Sequence, residues 1–224
     1  MLKYIGCLLV LLIVFFAYCH ITTLKTINNN LNILQTSDPE PELAYELFSQ
    51  HQPIVFQREL YFWKEFNKLI DKSLTEIKNT IATKPEVKYT EIIKINLEPY
   101  NLPLSYDWNI DIRNIILDDK NGIFFIQQKN YLQCFGCITG EFRIIITPPD
   151  QLPKLEPLTN NVSTIDATTM LDKDPMEINF IEIVGRKGNL IYIPWNWLYF
   201  IYKPNNINEC VIIDCLNNSA LAII

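Results

Sequence analysis

The apolar pattern of this chain changes period once, at Lys84-Pro85, and does not change back. Upstream of that point Leu60, Trp63, Phe66, Leu69, Ile70, Leu74, Ile77 and Ile81 recur at helical spacing and predict one long helix with an apolar stripe. A shorter helix is predicted before it from Leu43, Ala44, Leu47 and Phe48, with Ser37 or Asp38 as cap and a proline in the first turn. His51-Gln52-Pro53 ends that helix, and Ile54-Val55-Phe56 reads as a short strand. Downstream the apolar runs are short: Val87 to Ile93, Ile123 to Ile126, Phe142 to Thr147, Phe180 to Val184, Leu190 to Ile193 and Val211 to Asp214 all read as strands. Pro148-Pro149, Lys187-Gly188 and Pro204-Asn205-Asn206 punctuate them. Helices first and many short strands afterwards predict an α+β protein with an all-β core.

Length and charge narrow the functional classes. A chain of 224 residues with 49% hydrophobic content can bury a sizeable core in one domain plus an appendage. Net charge is −6 and there is no run of basic residues, which excludes nucleic acid as an expected partner. Walker-type and dinucleotide glycine patterns are absent. Two histidines, His20 and His51, leave no Ser-His-Asp arrangement to build.

The N-terminus stands apart. From Tyr4 to Leu24 there is no Asp, Glu, Lys or Arg, and a continuous helix of that length is roughly 30 Å long, enough to cross a bilayer core. Lys3 and the free amine before it favour a cytoplasmic N-terminus and a domain on the non-cytoplasmic side. The alternatives are a cleaved signal peptide, with small residues Ala17 and Cys19 at the cleavage site and a secreted product, and a buried soluble helix. The expected organisation is a membrane anchor or signal segment over residues 1–24, a polar Asn-rich stalk over 25–41, and a single domain over 42–224. Asn161-Val162-Ser163 and Asn217-Asn218-Ser219 are glycosylation sequons, which matter only in a secretory lumen.

Four segments of the domain carry a resemblance. Gly188-Asn189-Leu190-Ile191-Tyr192-Ile193-Pro194-Trp195-Asn196-Trp197-Leu198-Tyr199 resembles the G-D-x-L-Y-I-P-x-x-W-x-H signature of the JmjC/cupin-like family, the family of factor-inhibiting-HIF-type hydroxylases. Gly140 to Gln151 is similar to the family's G-x-K-x-x-x-L-x-P-P-D-Q strand and turn. Glu42 to Phe56 resembles the helix and strand that open such domains, and Ser163 to Asp166 the loop after the second motif. The resemblance covers about residues 42 to 215. It implies a double-stranded β-helix with flanking helices, here expected behind an N-terminal transmembrane helix.

The chemistry of that family does not carry over. An iron and 2-oxoglutarate oxygenase needs two imidazoles and one carboxylate on one face of Fe(II). The closing histidine maps onto Tyr199, the H-x-D pair onto Gln127 and Lys129, and the lysine that grips 2-oxoglutarate onto Phe142. Arg143 is adjacent, but on a strand it points to the opposite face. The resemblance thus implies a catalytically inactive relative that serves as a binding or structural module, with no catalytic residue and no cofactor. The alternative is a divergent hydroxylase with a nonstandard metal site near Gln127, Asp118 or Asp119, and Tyr199, using Fe(II) and 2-oxoglutarate. Lys129 either turns outward or marks an anion site.

Three further features carry chemistry. Cys134-Phe135-Gly136-Cys137 is a C-x-x-C pair in an apparent strand, where residues three apart face opposite sides unless Gly136 makes a bulge. With Cys210 and Cys215 these thiols are inert core residues, disulfides, or a thiolate metal or redox site. Trp195, Trp197, Tyr199 and Tyr202 either floor a ligand pocket or fill the core. His51 is expected at the surface, at a helix end that favours its imidazolium form. Expected partners are a membrane through residues 4–24, and a protein or a second copy of the chain.

Overall fold

The computed structural model describes residues 2–24, 28–37, 40–84, 88–89, 91–92, 96, 107–114, 124–128, 132–155, 165–166, 178–204 and 206–218. The elements before Lys84-Pro85 are α1 (Leu2–Leu24), β1 (Leu34–Thr36), α2 (Pro41–Ser49), β2 (Ile54–Phe56), α3 (Glu59–Phe62), α4 (Lys64–Asn67) and α5 (Leu74–Thr83). Strands follow: β3 (Asp107–Asn114), β4 (Phe124–Gln127), β5 (Leu132–Thr139), β6 (Glu141–Thr147), β7 (Ile165–Asp166), β8 (Ile181–Arg186), β9 (Leu190–Ile193), β10 (Leu198–Tyr202) and β11 (Val211–Asn218). A short helix, α6 (Leu152–Leu155), lies between β6 and β7.

The protein is α+β with two sheets. The first has the order β1-β2-β9-β5-β11-β3 and the second β7-β4-β10-β6-β8. Among the described strands only β1 and β2 run parallel; the other pairs are antiparallel. From β3 onward the chain crosses between the sheets, placing β3, β5, β9 and β11 in the first and β4, β6, β7, β8 and β10 in the second.

The first sheet is buried on both faces. Leu132, Cys134, Ile138, Leu190, Tyr192, Val211, Ile213 and Cys215 face the helices, where they meet Ala44, Phe48, Leu60, Trp63, Phe66, Leu69 and Ile77. Phe135, Cys137, Ile191, Ile193 and Ile212 face the second sheet and pack on Phe142, Ile144, Ile146, Ile183, Trp197 and Tyr199. Burial on both faces explains why β9 reads as an unbroken apolar run and why every residue of β5 from Leu132 to Ile138 is buried. The outer face of the second sheet carries a smaller patch of Ile145 and Leu198, with Leu152, Ile178, Phe200 and Tyr202 around it.

The long helix expected over Leu60 to Ile81 is three helices. Trp63 adopts an extended conformation between α3 and α4, with its ring buried and its Nε1–H donating to Glu59 Oε1 at 3.1 Å. Asp71 then takes a left-handed φ of 69°, and its N–H donates to Ile138 O on β5 at 3.3 Å. Helix α5 restarts from a capping box: Ser73 Oγ accepts from Glu76 N, and Ser73 N donates to the Glu76 carboxylate at 2.8 Å. Contacts with the sheet therefore override a periodicity that propensity alone would continue. Ser73→Ala is expected to lower stability by about 1 kcal/mol. A melting temperature equal to the parent's would show that the cap contributes nothing.

Further expectations are corrected. Tyr89 and Ile92, expected on a strand over Val87 to Ile93, are helical, and Ile92 N–H donates to Lys88 O at 3.1 Å. Both side chains pack on the helix-side core, and their spacing suits a helix as well as a strand. The segment read as a stalk contributes β1, paired to β2 from Leu34↔Ile54 to Thr36↔Phe56.

The transmembrane helix is also corrected. Among the described residues no helix is long and apolar enough to cross a membrane. This overturns the expected membrane anchor and single-pass location.

Candidate functional site

The layer between the sheets is where the family resemblance would seat a metal. Among the described residues its walls are apolar apart from one polar island made by Gln133 on β5, Tyr199 on β10 and Asp214 on β11. All three are buried. Gln133 Nε2 donates to Tyr199 Oη at 3.0 Å and to Asp214 Oδ1 at 3.2 Å. The register explains the meeting: Asp214 pairs with Phe135, so Gln133 is its diagonal neighbour on the same inner face. Tyr199 reaches them from the opposite sheet, with its ring 5.2 Å from that of Phe135. A buried carboxylate needs donors, and the Gln133 amide supplies one. Gln133 Oε1 and Trp197 Nε1 are buried in the same layer with no hydrogen-bond partner among the described residues.

Two of the four residues mapped from the resemblance lie in this layer. Tyr199 and Phe142 do, and the Phe142 ring lies over Gly185, where a Cβ would come within 2.3 Å of Phe142 Cε1. Gln127 does not. It pairs with Leu198, whose side chain belongs to the outer patch, and it donates to Asn196 Oδ1 at 2.6 Å. Its neighbour Gln128 is the buried one, and donates to Ile193 O at 3.4 Å. The β9–β10 turn is latched there by Gln128 N to Trp197 O and Asn196 N to Gln128 O. Lys129, Asp118 and Asp119 lie outside the described residues. Arg143 sits on the outer face, where its Nη1 donates to Glu182 at 3.1 Å beside Tyr202, which also donates to Glu182.

An Fe(II) and 2-oxoglutarate site does not fit these residues. The chain's imidazoles are His20, in α1, and His51, between α2 and β2, and neither lies on a strand. Among the described residues the inner layer supplies one carboxylate, Asp214, already accepting from Gln133. At the mapped cosubstrate position, Phe142 offers no charge to a dicarboxylate. Asp214 and Gln133 were missed in the sequence because their partners lie 81 and 66 residues away. Inward alternation along Leu132 to Thr139 was the available signal.

The other candidates fall on different surfaces. Trp197 is fully buried in the inner layer, Trp195 is half-buried in the β9–β10 turn, and Tyr202 is on the outer face, where Phe200 stacks on it at 5.5 Å. The alternate aromatics therefore do not line one pocket. Asn217 pairs with Leu132 and Trp108 on either side of β11, and Asn161 lies outside the described residues. His51, expected as a surface imidazolium, is half-buried with a φ of 51°, and burial lowers its pKa.

The cysteines sort by face. Cys134 points towards the helices opposite Cys215, its register partner, and burial pushes both thiols far above the ordinary range. Cys137 and Cys210 lie together in the inner layer. None of the four is in a disulfide.

A cavity of about 300 Å³ opens at the seam where β1 and β2 approach the edge strand β8. Ile33, Val55, Ile183 and Val184 form its apolar wall; Gln35, Gln57, Glu182, Arg186 and Asn189 supply its polar groups. Gln57 Nε2 donates to Gln35 Oε1 at 3.2 Å, and Asn189 Oδ1 accepts from Arg58 N at 3.2 Å. No protein-family model matches the chain, and no curated protein matches it in sequence.

Proposed function

We propose that residues 42–218 form a binding or structural module of the JmjC/cupin-like type that does not perform iron-dependent hydroxylation. The observation that carries this reading is the filled inner layer. At the position mapped to the distal metal ligand, Tyr199 is held by Gln133, which also ties down Asp214. Phe135, Phe142 and Trp197 pack around that island without leaving an imidazole near it. The winding of β3 to β11 back and forth between two sheets supports the family resemblance. The seam cavity, with its carboxamides, Arg186 and Glu182, supports a binding role at the edge of the domain.

Fe(II) and 2-oxoglutarate, added together under anaerobic conditions, are expected to leave the melting temperature unchanged. A ligand present at 100 times its Kd would stabilise the chain by about 2.7 kcal/mol. A reproducible rise of several degrees with both, absent with either alone, would overturn the proposal and restore the hydroxylase reading.

A further inference from the structure

We propose that Cys137 and Cys210 form a redox modification site, a dithiol that closes to a disulfide by exchange with a low-molecular-weight disulfide such as oxidised glutathione. The C-x-x-C spacing suggests Cys134 as the partner of Cys137, but β5 places those two on opposite faces of the first sheet. The partner that tertiary structure supplies is Cys210, just before β11. Its side chain shares a hydrogen bond with Cys137, and this contact, ahead of burial, raises the Cys137 thiol. Cys137 Sγ also lies 3.5 Å from Gly140 O and 3.8 Å from Thr139 O, so the pair sits where β5 turns into β6.

Two features separate this pair from Cys134 and Cys215. The β5–β11 ladder shifts register between Val211 and Ile212, directly beside Cys210, so the pairing there is already interrupted. Thr139, Gly140 and Glu209 around it are partly exposed. Cys134 and Cys215 lie in the regular part of the ladder, beneath the helix-side core. Cys137 is the register partner of Ile212, two residues after Cys210, so the two thiols are diagonal neighbours on the inner face. Gly140 lies between them, with its carbonyl 3.5 Å from Cys137 Sγ and its Cβ position 3.2 Å from Cys210 Cα, and closing the bond needs the backbone movement that the interrupted end of the ladder allows.

The exchange balances without a metal. A Cys137 or Cys210 thiolate attacks one glutathione sulfur, its S–S bond breaks, and the first glutathione leaves as a thiol. The second cysteine then attacks the mixed disulfide, forms the protein S–S bond and releases the second glutathione. Two protons and two electrons leave the protein pair. Because the thiolate is the nucleophile and both thiols are buried, the reaction runs through local opening at the interrupted end of the ladder.

The test is to equilibrate the full chain in glutathione buffers from fully reduced to fully oxidised, quench with acid, and map linked peptides by mass spectrometry. The expected product has lost two hydrogens and carries a Cys137–Cys210 link, and forms faster in urea below the unfolding midpoint. Cys210→Ser should abolish it and Cys215→Ser should not. A Cys134–Cys137 or Cys134–Cys215 link, or four free thiols in the most oxidising buffer, overturns the proposal. If the serine variants do not fold, the map of the parent chain decides alone.

Discussion

Replacing Trp197 by alanine is expected to remove about 3–5 kcal/mol of stability, a large share of the roughly 5–15 kcal/mol that a domain of this kind possesses. Trp197 is fully buried in the layer between the sheets, among the residues that close the space where the family resemblance would seat a metal. Deleting the indole leaves a void that cannot collapse easily, because both walls are sheet strands tied by ladders. The loss is measured as a fall in the denaturant midpoint at unchanged slope. Trp197→Phe is expected to recover about half of it, since a ring is retained; the indole Nε1–H has no partner among the described residues, so its removal forfeits no hydrogen bond seen there. A cost below about 1 kcal/mol for the alanine variant would mean that the inner layer is not close-packed. The filled-interior reading of the function would then lose its support.

The second large effect is expected at Gly140, where the chain crosses from the first sheet to the second. Its φ is +80°, and a Cβ there would lie 2.3 Å from Glu209 O and 3.2 Å from Cys210 Cα. The left-handed conformation costs a non-glycine residue about 1–2 kcal/mol, and forced overpacking another 1–3. Gly140→Ala is therefore expected to lose roughly 2–5 kcal/mol. Gly188 gives the control. Its φ is +84°, but the obstacle is the Tyr61 ring at 2.1 Å, a side chain that can swing aside. Gly188→Ala should therefore cost less than Gly140→Ala. Asparagine tolerates a left-handed φ and still carries a Cβ, so Gly140→Asn should rescue nothing while Gly188→Asn should recover part of the loss. Equal rescue at both sites, read from thermal melts, would show that backbone conformation alone decides and that the Glu209 carbonyl gives way.

Hydrogen-ion linkage at His51 follows the same local logic. Burial lowers its folded-state pKa, so the folded chain holds the imidazole neutral more strongly than the unfolded chain does. Its contribution to stability is fully present above the unfolded value near 6.5 and is lost as pH falls below it.

How much was legible depended on whether burial is one-sided or two-sided. The helix α2, the strand β2 and the positions of β6, β8, β9 and β11 follow from apolar spacing and from proline and glycine punctuation. These signals are local, and each element advertises its own buried face. The break of one long helix into α3, α4 and α5 was not legible. A stripe from Leu60 to Ile81 satisfies helical spacing either way, and only the docking of Trp63 and Asp71 on the rest of the fold decides it. The N-terminal segment shows the reverse limit, since hydropathy suggested a span, and among the described residues no helix is long and apolar enough to cross a membrane.

By itself, then, the sequence determined the class of fold and the shortage of imidazoles, because composition and periodicity are properties of neighbours in the chain. Only tertiary structure decided which side chains meet. It turned Gln127 outward by one residue of register, because a strand reverses face at every step. It brought Gln133, Tyr199 and Asp214 together across up to 81 residues, and set Cys210 rather than Cys134 beside Cys137. Such encounters depend on strand order and pairing register, which are fixed by the packing of two sheets and a helical layer and leave no periodic trace in the chain.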